Sequence, residues 1–283
     1  MWCRVILAVA AAAISLPAAE IDESVLRLLG TDVQWVVGAN LERYRGTGLE
    51  RFYRADLHWL KLGPSVDPDA AVRQVYGATG DSARSEVTVL LGTFLPAGEP
   101  AWHTGRGDYG AIVLGLNMAL AGYQDAAVEA VKRWSAGGPV NAALASRLNR
   151  LNQSFDLWFL AVRPLEHAWG LARDPAFGPA KKLLDAVREV RGGIRLGGFY
   201  QLRLELEMRS PVEAAALAGI APWLPGFLQL QRGWTREAAL SGLLEDFDAR
   251  ASGSTVILTG TLDENKIREL IRKLDEEQRQ REY

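Results

Sequence analysis

The residues best suited to chemistry lie close together between Trp102 and Tyr109, flanked by two runs with the composition of strands. Five of them fall within eight positions, namely Trp102, His103, Arg106, Asp108 and Tyr109. Such side chains bind ligands by charge, hydrogen bonding and stacking, and long loops that hold them carry function more often than core segments do. We interpret the Gly/Pro-rich segment 96–110 as a candidate ligand-binding loop, with a solvated insertion as the alternative.

The same loop contains Gly105-Arg106-Gly107-Asp108-Tyr109-Gly110, which matches the G-x-G-x-x-G fingerprint of dinucleotide sites. In those sites the glycines turn out of a strand into a helix, whose N-terminus receives the pyrophosphate. Here the motif leads into a second strand instead. The pattern therefore predicts the tip of a hairpin, where glycine supplies positive φ angles, and no nucleotide cofactor.

No other residues form a recognisable catalytic or metal-binding motif. The three histidines, His58, His103 and His167, are too far apart for a helical zinc pair, and no G-x-S-x-G motif occurs. We expect no metal and no cofactor, and the catalytic residues of any enzyme stay unknown. Because 34 acidic residues and nine tryptophans are present, a hydrolase that uses paired carboxylates is the alternative to a non-catalytic protein.

The first nineteen residues have the order of a secretory signal peptide. Arg4 precedes an apolar run from Val5 to Leu16, and small residues follow at 17–19. Cleavage there removes Cys3, the single cysteine of the chain. The apolar run is shorter than the roughly 20 residues that span a bilayer. The sequence thus predicts export to the periplasm or the exterior, with no transmembrane span after cleavage.

Charge and composition limit the classes of partner that we expect. The formal net charge is −2 and no basic stripe is present, so nucleic acid is not expected as a partner. Hydrophobic residues make up 48% of the chain, which is typical of a globular protein. We expect an unidentified ligand or an envelope protein as the partner.

The elements that must position the loop alternate between helix and strand. Breakers at Gly137-Gly138-Pro139 divide the chain at a linking helix, and Ser210-Pro211 begins a later helix with a capping residue. The predicted helices are 22–29, 69–76, 125–134, 140–151, 179–190, one from 211 and an amphipathic one near 267–274. The predicted strands are 33–37, 86–95, 111–120, 155–162, a pair within 194–209, 247–250 and 255–259.

Three landmarks recur in the same order and predict an internal duplication. Trp35 in its strand is matched by Trp158, the run 87–94 by 194–199, and the helix at 127–130 by that at 211–214. We therefore predict an α+β fold of two related units, each an antiparallel or mixed sheet with helices packed on one face. The units are 20–136 and 153–283, the second including the C-terminal amphipathic helix, and residues 137–152 link them.

Gly38-Ala39-Asn40-Leu41 follows the first strand, Leu91-Gly92-Thr93-Phe94 ends a later one, and Ser210-Pro211 opens a helix after a polar strand. In these features the chain resembles uncharacterised exported proteins of soil bacteria, a resemblance that implies no activity. The sequence as a whole favours an exported soluble protein, a non-catalytic binding or structural component of the cell envelope. The alternative is an envelope hydrolase.

Overall fold

One antiparallel sheet of eleven strands runs through the computed structural model, which describes residues 20–45, 62, 67–94, 102–162, 182, 183, 185–197, 199–221, 248–263 and 265. The strands are β1 (Trp35–Asn40), β2 (Val72–Thr79), β3 (Val87–Gly92), β4 (Trp102–Arg106), β5 (Tyr109–Gly115), β6 (Met118–Tyr123), β7 (Leu157–Ala161), β8 (Val187–Arg195), β9 (Tyr200–Met208), β10 (Asp248–Ser252) and β11 (Thr255–Leu262). Their order across the sheet is β10-β11-β9-β8-β7-β1-β2-β3-β6-β5-β4. The α+β class predicted from the sequence is confirmed.

Six described α-helices accompany the sheet. They are α1 (Glu23–Leu29), α2 (Leu41–Tyr44), α3 (Pro68–Ala71), α4 (Gln124–Ser135), α5 (Ala142–Ser154) and α6 (Pro211–Ile220). Two predicted helix starts are confirmed by their caps. The Asp22 carboxylate accepts the amide of Ser24, and the Ser210 hydroxyl oxygen accepts the amide of Glu213 at 3.3 Å. None of the described helices is long and apolar enough to cross a membrane.

The part of the sheet around β1 to β6 buries both of its faces, whereas the part around β8 to β11 buries one. We call the front face the side that carries Val36 and Trp158, and the back face the side that carries Trp35 and Phe159. On the front, α1, α4 and α5 cover the strands around β1 to β6. On the back, α6 covers the strands around β8 to β11. A second core lies on the back of β1, β2, β3, β5 and β6 and includes Leu41 and Tyr44 of α2. Helices therefore lie on both faces of the sheet.

Two segments predicted as helices run into strands, and residues 179–181 and 184 of the second lie outside the described residues. The helix expected over 69–76 ends after α3, and β2 begins at Val72, between β1 and β3. The helix expected over 179–190 is replaced by β8 from Val187 onwards. Both segments carry apolar residues at spacings that fit either element, so local pattern does not decide between them. Pairing with two neighbouring strands does, since it places Tyr76 and Val190 in the core.

The strand expected over 111–120 is a hairpin. It turns at Leu116 and Asn117, so that β5 and β6 pair with each other. The adjoining segment 96–110, expected as a loop, contains β4, which pairs with β5 at one edge of the sheet. Gly107 sits at the turn between them with a φ of 62°, as predicted for the tip of a hairpin.

The two proposed units share this sheet, because β1 pairs with β7 across the predicted boundary. Trp158 is paired with Gly38, whereas Trp35 is paired with Ala161, which places the two indoles on opposite faces. The landmark helices also differ in place, since α4 follows β6 whereas α6 follows β9. These landmarks are not equivalent positions. The predicted signal peptide and the C-terminal amphipathic helix lie outside the described residues.

Candidate functional site

The predicted binding-loop residues occupy the β4–β5 edge and do not converge on one pocket. Trp102 and His103 are consecutive in β4, so their side chains leave opposite faces of the sheet. Trp102 packs against the front core, while His103 is paired with Ala111 on the back. Arg106 ends β4 and is paired with Tyr109. The hairpin therefore spreads these groups instead of assembling them.

The tip of the β4–β5 hairpin contacts Arg84, Glu86 and Tyr123. The Asp108 carboxylate pairs with Arg84 at 2.8 Å, and both side chains are exposed. The Tyr109 hydroxyl donates to Glu86 Oε1 at 3.0 Å, and its ring meets Tyr123 edge-on with centroids 5.2 Å apart. Burial first, and the Glu86 charge second, raise the pKa of Tyr109, so its hydroxyl stays protonated. These contacts stabilise the hairpin and leave no assembled site here.

A different region of the described chain has the shape and charge of a binding site. An open groove of about 770 Å³ lies on the front face between the C-terminal half of α5 and strands β8, β9 and β11. Its lining comprises Arg147, Arg150, Leu151, Ser154, Phe155, Arg191, Gly192, Arg195, Gln201, Leu202, Arg203, Glu205, Asp248, Thr259, Gly260 and Thr261. We call it the arginine groove. Its volume lies within the roughly 300–1,000 Å³ typical of small-molecule sites.

Helix α5 forms one wall of the groove because of its spacing. Arg147, Arg150, Leu151 and Ser154 are separated by three, four and seven residues, which places them along one side of a helix. The helix begins at Asn141, whose side-chain oxygen accepts the Leu144 amide at 3.0 Å. Its buried leucines anchor it to the front core, so two guanidinium groups project towards the neighbouring strands.

The strands supply the floor of the groove in ordered rows. Residues paired across antiparallel strands point to the same face, so the register defines which side chains are neighbours. The first row is Arg195, Gln201 and Thr261; the second is Gly193, Arg203, Thr259 and Asp248; the third is Arg191, Glu205 and Ile257. The intervening residues, such as Leu204 and Leu206, point to the back and pack near α6. One strand face is therefore polar because the other is core.

Two glutamates hold three of the arginines in place. Glu189 accepts from Arg147 at 2.6 Å and from Arg191 at 2.9 Å, and its side chain is only 14% exposed. Glu205 accepts from Arg191 at 2.9 Å and from Arg203 at 2.7 Å. Charge-assisted bonds of this kind fix guanidinium orientation as well as adding energy. The groove is thus lined by arginines with set positions.

Two further arginines at the mouth of the groove keep donors available. Arg195 donates through Nε to the Ser154 carbonyl at 3.0 Å, and no bond of its two terminal nitrogens occurs within the described chain. Arg150 lies one helical turn before Ser154 and pairs with no described carboxylate. Because residues i and i+4 are neighbours on a helix, these guanidinium groups flank the same end of the groove. They are placed to bind an anion from solution.

The environment of Glu205 makes stability depend on pH. Burial tends to raise the pKa of this carboxyl, but hydrogen bonds and charge from Arg203 and Arg191 outweigh it and hold the pKa below its usual 4.5. A lowered folded-state pKa stabilises the fold above the unfolded-state pKa, and this stabilisation is lost as pH falls through the lower value. We expect the free energy of unfolding, measured with urea between about pH 6 and about pH 3, to fall less steeply in Glu205→Gln. An unchanged slope would contradict the pairing.

The arginine groove was not predicted from the sequence, although the residues that form its floor alternate visibly along three strands. Polar residues alternate in Arg191-x-Gly193-x-Arg195, in Gln201-x-Arg203-x-Glu205 and in Thr259-x-Thr261. Each run on its own describes the solvated face of an ordinary strand. Only the pairing of β8 with β9 and of β9 with β11 combines them, and only the packing of α5 adds the opposite wall.

The sequence matches no protein-family model and no curated protein. Among solved structures, the chain aligns with crystal forms I, III and IV of TP0453, at 11%, 12% and 10% sequence identity. The TM-scores are 0.48, 0.47 and 0.49; the alignments cover 88%, 87% and 87% of this chain and 96%, 96% and 95% of the other. Similarities of this size leave the function to be argued from the groove itself.

Proposed function

We propose that this chain is a non-catalytic binding protein that holds an anionic ligand in the arginine groove. The observation that carries the proposal is the charge of the lining, where five arginines face two carboxylates, Glu205 and Asp248. Arginine is the side chain best suited to carboxylate and phosphate groups, because its planar fork donates two parallel hydrogen bonds. Three of the arginines are already oriented by Glu189 and Glu205, which reduces the entropy lost when a ligand binds.

The groove does not favour the hydrolase alternative. Carboxylate catalysis of glycoside hydrolysis needs one carboxyl that keeps its proton near neutral pH and one that is ionised. Paired arginines lower the pKa of Glu205, so this group is ionised and engaged in ion pairs. A charged and occupied carboxylate is suited to positioning arginines and not to donating a proton.

We further propose that the protein acts after export, as a component of the cell envelope. The support is the sequence of residues 1–19, with its cationic start, apolar run and small residues before Glu20. Expression of the full chain followed by mass spectrometry of the fractionated cells tests this. Recovery of a chain that starts near Glu20 outside the cytoplasm is expected, and an intact Met1 chain confined to the cytoplasm would contradict export.

The proposed duplication has support in the strand order. In one half β1, β2 and β3 are followed across the sheet by β6 and β5, and in the other β7, β8 and β9 are followed by β11 and β10. Both halves thus place three consecutive strands beside a returning hairpin. We propose that the repeat lies in this connectivity, in which β1 corresponds to β7, and not in equivalent positions of the two tryptophans or of the helices.

The anion-binding proposal predicts a loss of affinity when the mouth of the groove is neutralised. Citrate is the probe, titrated calorimetrically at low ionic strength. We expect the double variant Arg150→Gln, Arg195→Gln to bind citrate about tenfold more weakly than the parent chain, which corresponds to about 1.4 kcal/mol. The affinity of the parent chain also falls as salt is added, because the contacts are partly exposed.

Arg84→Gln is the matched control. Arg84 is an exposed, ion-paired arginine near the β4–β5 edge, outside the groove, so its replacement removes one positive charge without touching the lining. Its citrate affinity should equal that of the parent chain. Failure of the parent chain to bind citrate, or equal losses in the control and the double variant, would overturn the proposal.

A further inference from the structure

The arginine groove contains groups that a simple anion does not use. Gln201, Thr259 and Thr261 offer amide and hydroxyl groups, and Asp248 offers a carboxylate. Within the part of the chain that the structure describes, none of these four side chains makes a hydrogen bond. A carboxylate accepts hydrogen bonds and repels anions, so Asp248 calls for a ligand with hydroxyl or amine donors as well as negative charge.

The rows on the groove floor place these groups beside the arginines. Arg195, Gln201 and Thr261 are direct cross-strand neighbours, and so are Arg203, Thr259 and Asp248 in the adjacent row. Since neighbouring strands lie roughly 4.8 Å apart, the first row spans roughly 10 Å. The cationic end and the hydroxyl-binding end are therefore within reach of one ligand of sugar size.

An aromatic ring lies over β8, the strand that carries Arg195. Phe155 follows α5 and is half-buried at the wall of the groove, over Gly193 in the second row. A side chain at Gly193 would collide with this ring, since its Cβ would lie 2.7 Å from Phe155 Cγ. Aromatic rings offer apolar surface on which the C–H face of a sugar packs.

We propose, on the premise that the groove binds anions, that its ligand is an acidic saccharide bearing carboxylate groups. The carboxylate meets Arg150 and Arg195, the ring hydroxyls meet Gln201, Thr259, Thr261 and Asp248, and the sugar ring lies near Phe155. One such molecule contacts the positive charges, the hydrogen-bonding groups and the apolar surface of the groove. A simple anion uses the first of these alone.

The test compares three probes by calorimetric titration of the full chain. Trigalacturonate carries three carboxylates on sugar rings, citrate carries three carboxylates without sugar, and maltotriose carries sugar without charge. We expect trigalacturonate to bind about tenfold more tightly than citrate, because its ring hydroxyls add hydrogen bonds that citrate does not make. Maltotriose should give no measurable heat of binding.

The double variant Thr259→Val, Thr261→Val separates the two proposals. Valine keeps the shape of threonine and favours strands, so the fold is retained, which circular dichroism checks. The variant should lose about fivefold in affinity for trigalacturonate, clearly more than it loses for citrate. Equal affinity of the parent chain for trigalacturonate and citrate would overturn the saccharide inference and leave anion binding standing. Binding of neither trigalacturonate nor citrate would overturn both proposals, whereas maltotriose binding as tightly as trigalacturonate would overturn the saccharide inference alone.

Discussion

Replacement of Trp158 by alanine is expected to lower the free energy of unfolding by about 3–5 kcal/mol. Trp158 is 1% exposed at the centre of the sheet, where its ring lies over Gly38 of the paired strand β1. Its Nε1 donates to Asn152 Oδ1 at 3.2 Å, and its ring centroid is 6.2 Å from that of Tyr76. The substitution leaves a large cavity in the front core and removes one of the hydrogen bonds to Asn152 Oδ1, which also accepts from the Tyr76 hydroxyl at 3.4 Å. Urea unfolding followed by circular dichroism measures the loss.

Trp35→Ala is the matched control for this result. Trp35 lies in the neighbouring strand but on the back face, where it is half-buried. Its removal takes away less buried area and should cost clearly less than the loss at Trp158. Equal losses at the two positions would show that the indoles occupy similar environments, contrary to the structure.

The second large effect is expected at Gly193, where the fold and the groove meet. A Cβ at this position would lie 2.2 Å from the Leu157 carbonyl oxygen and 2.7 Å from Phe155 Cγ. A backbone carbonyl in a central strand has little freedom to move, so Gly193→Ala must separate β7 from β8 or displace Phe155. We expect a loss of about 3 kcal/mol in the free energy of unfolding, at the upper end of the usual effects of overpacking. Citrate affinity should fall as well, because the same shift moves the groove wall.

Gly115→Ala provides the comparison for Gly193→Ala. Gly115 ends a strand, and a Cβ there meets no atom within 4 Å. Alanine at this position should leave stability unchanged or raise it slightly, because it restricts the unfolded chain. Citrate binding should be unaffected. A destabilised Gly115→Ala together with a neutral Gly193→Ala would contradict the close contact between β7, β8 and Phe155.

Sequence reasoning succeeded where local chemistry decides the outcome. The helix start at Asp22, the cap at Ser210 and the glycine turn at Gly107 depend on residues within a few positions of one another, and all three are found as expected. Segments whose apolar spacing fits either a helix or a strand were predicted incorrectly. Val72 and Val187 begin strands where helices were predicted, because partner strands distant in sequence supply the hydrogen bonds.

The candidate site also depends on contacts between residues that are distant in sequence. The residues of the β4–β5 hairpin are close in sequence, which predicts a binding loop. Side chains alternate along β4, however, so Trp102 and His103 lie on opposite faces of the sheet. The arginine groove draws its charge from α5, β8 and β9, with about forty residues between Arg150 and Arg191. No spacing rule connects positions so far apart when the strands between them have not been paired.

The sequence by itself determined the α+β class, the sites at which several helices begin, and the net charge. It did so because caps, turns and composition are properties of neighbouring residues or of the whole chain. Only the tertiary structure decided the strand order, which faces of the sheet are buried, and the assembly of five arginines into one groove. The reason is that strand register and helix docking bring together side chains whose sequence positions carry no information about their final distance.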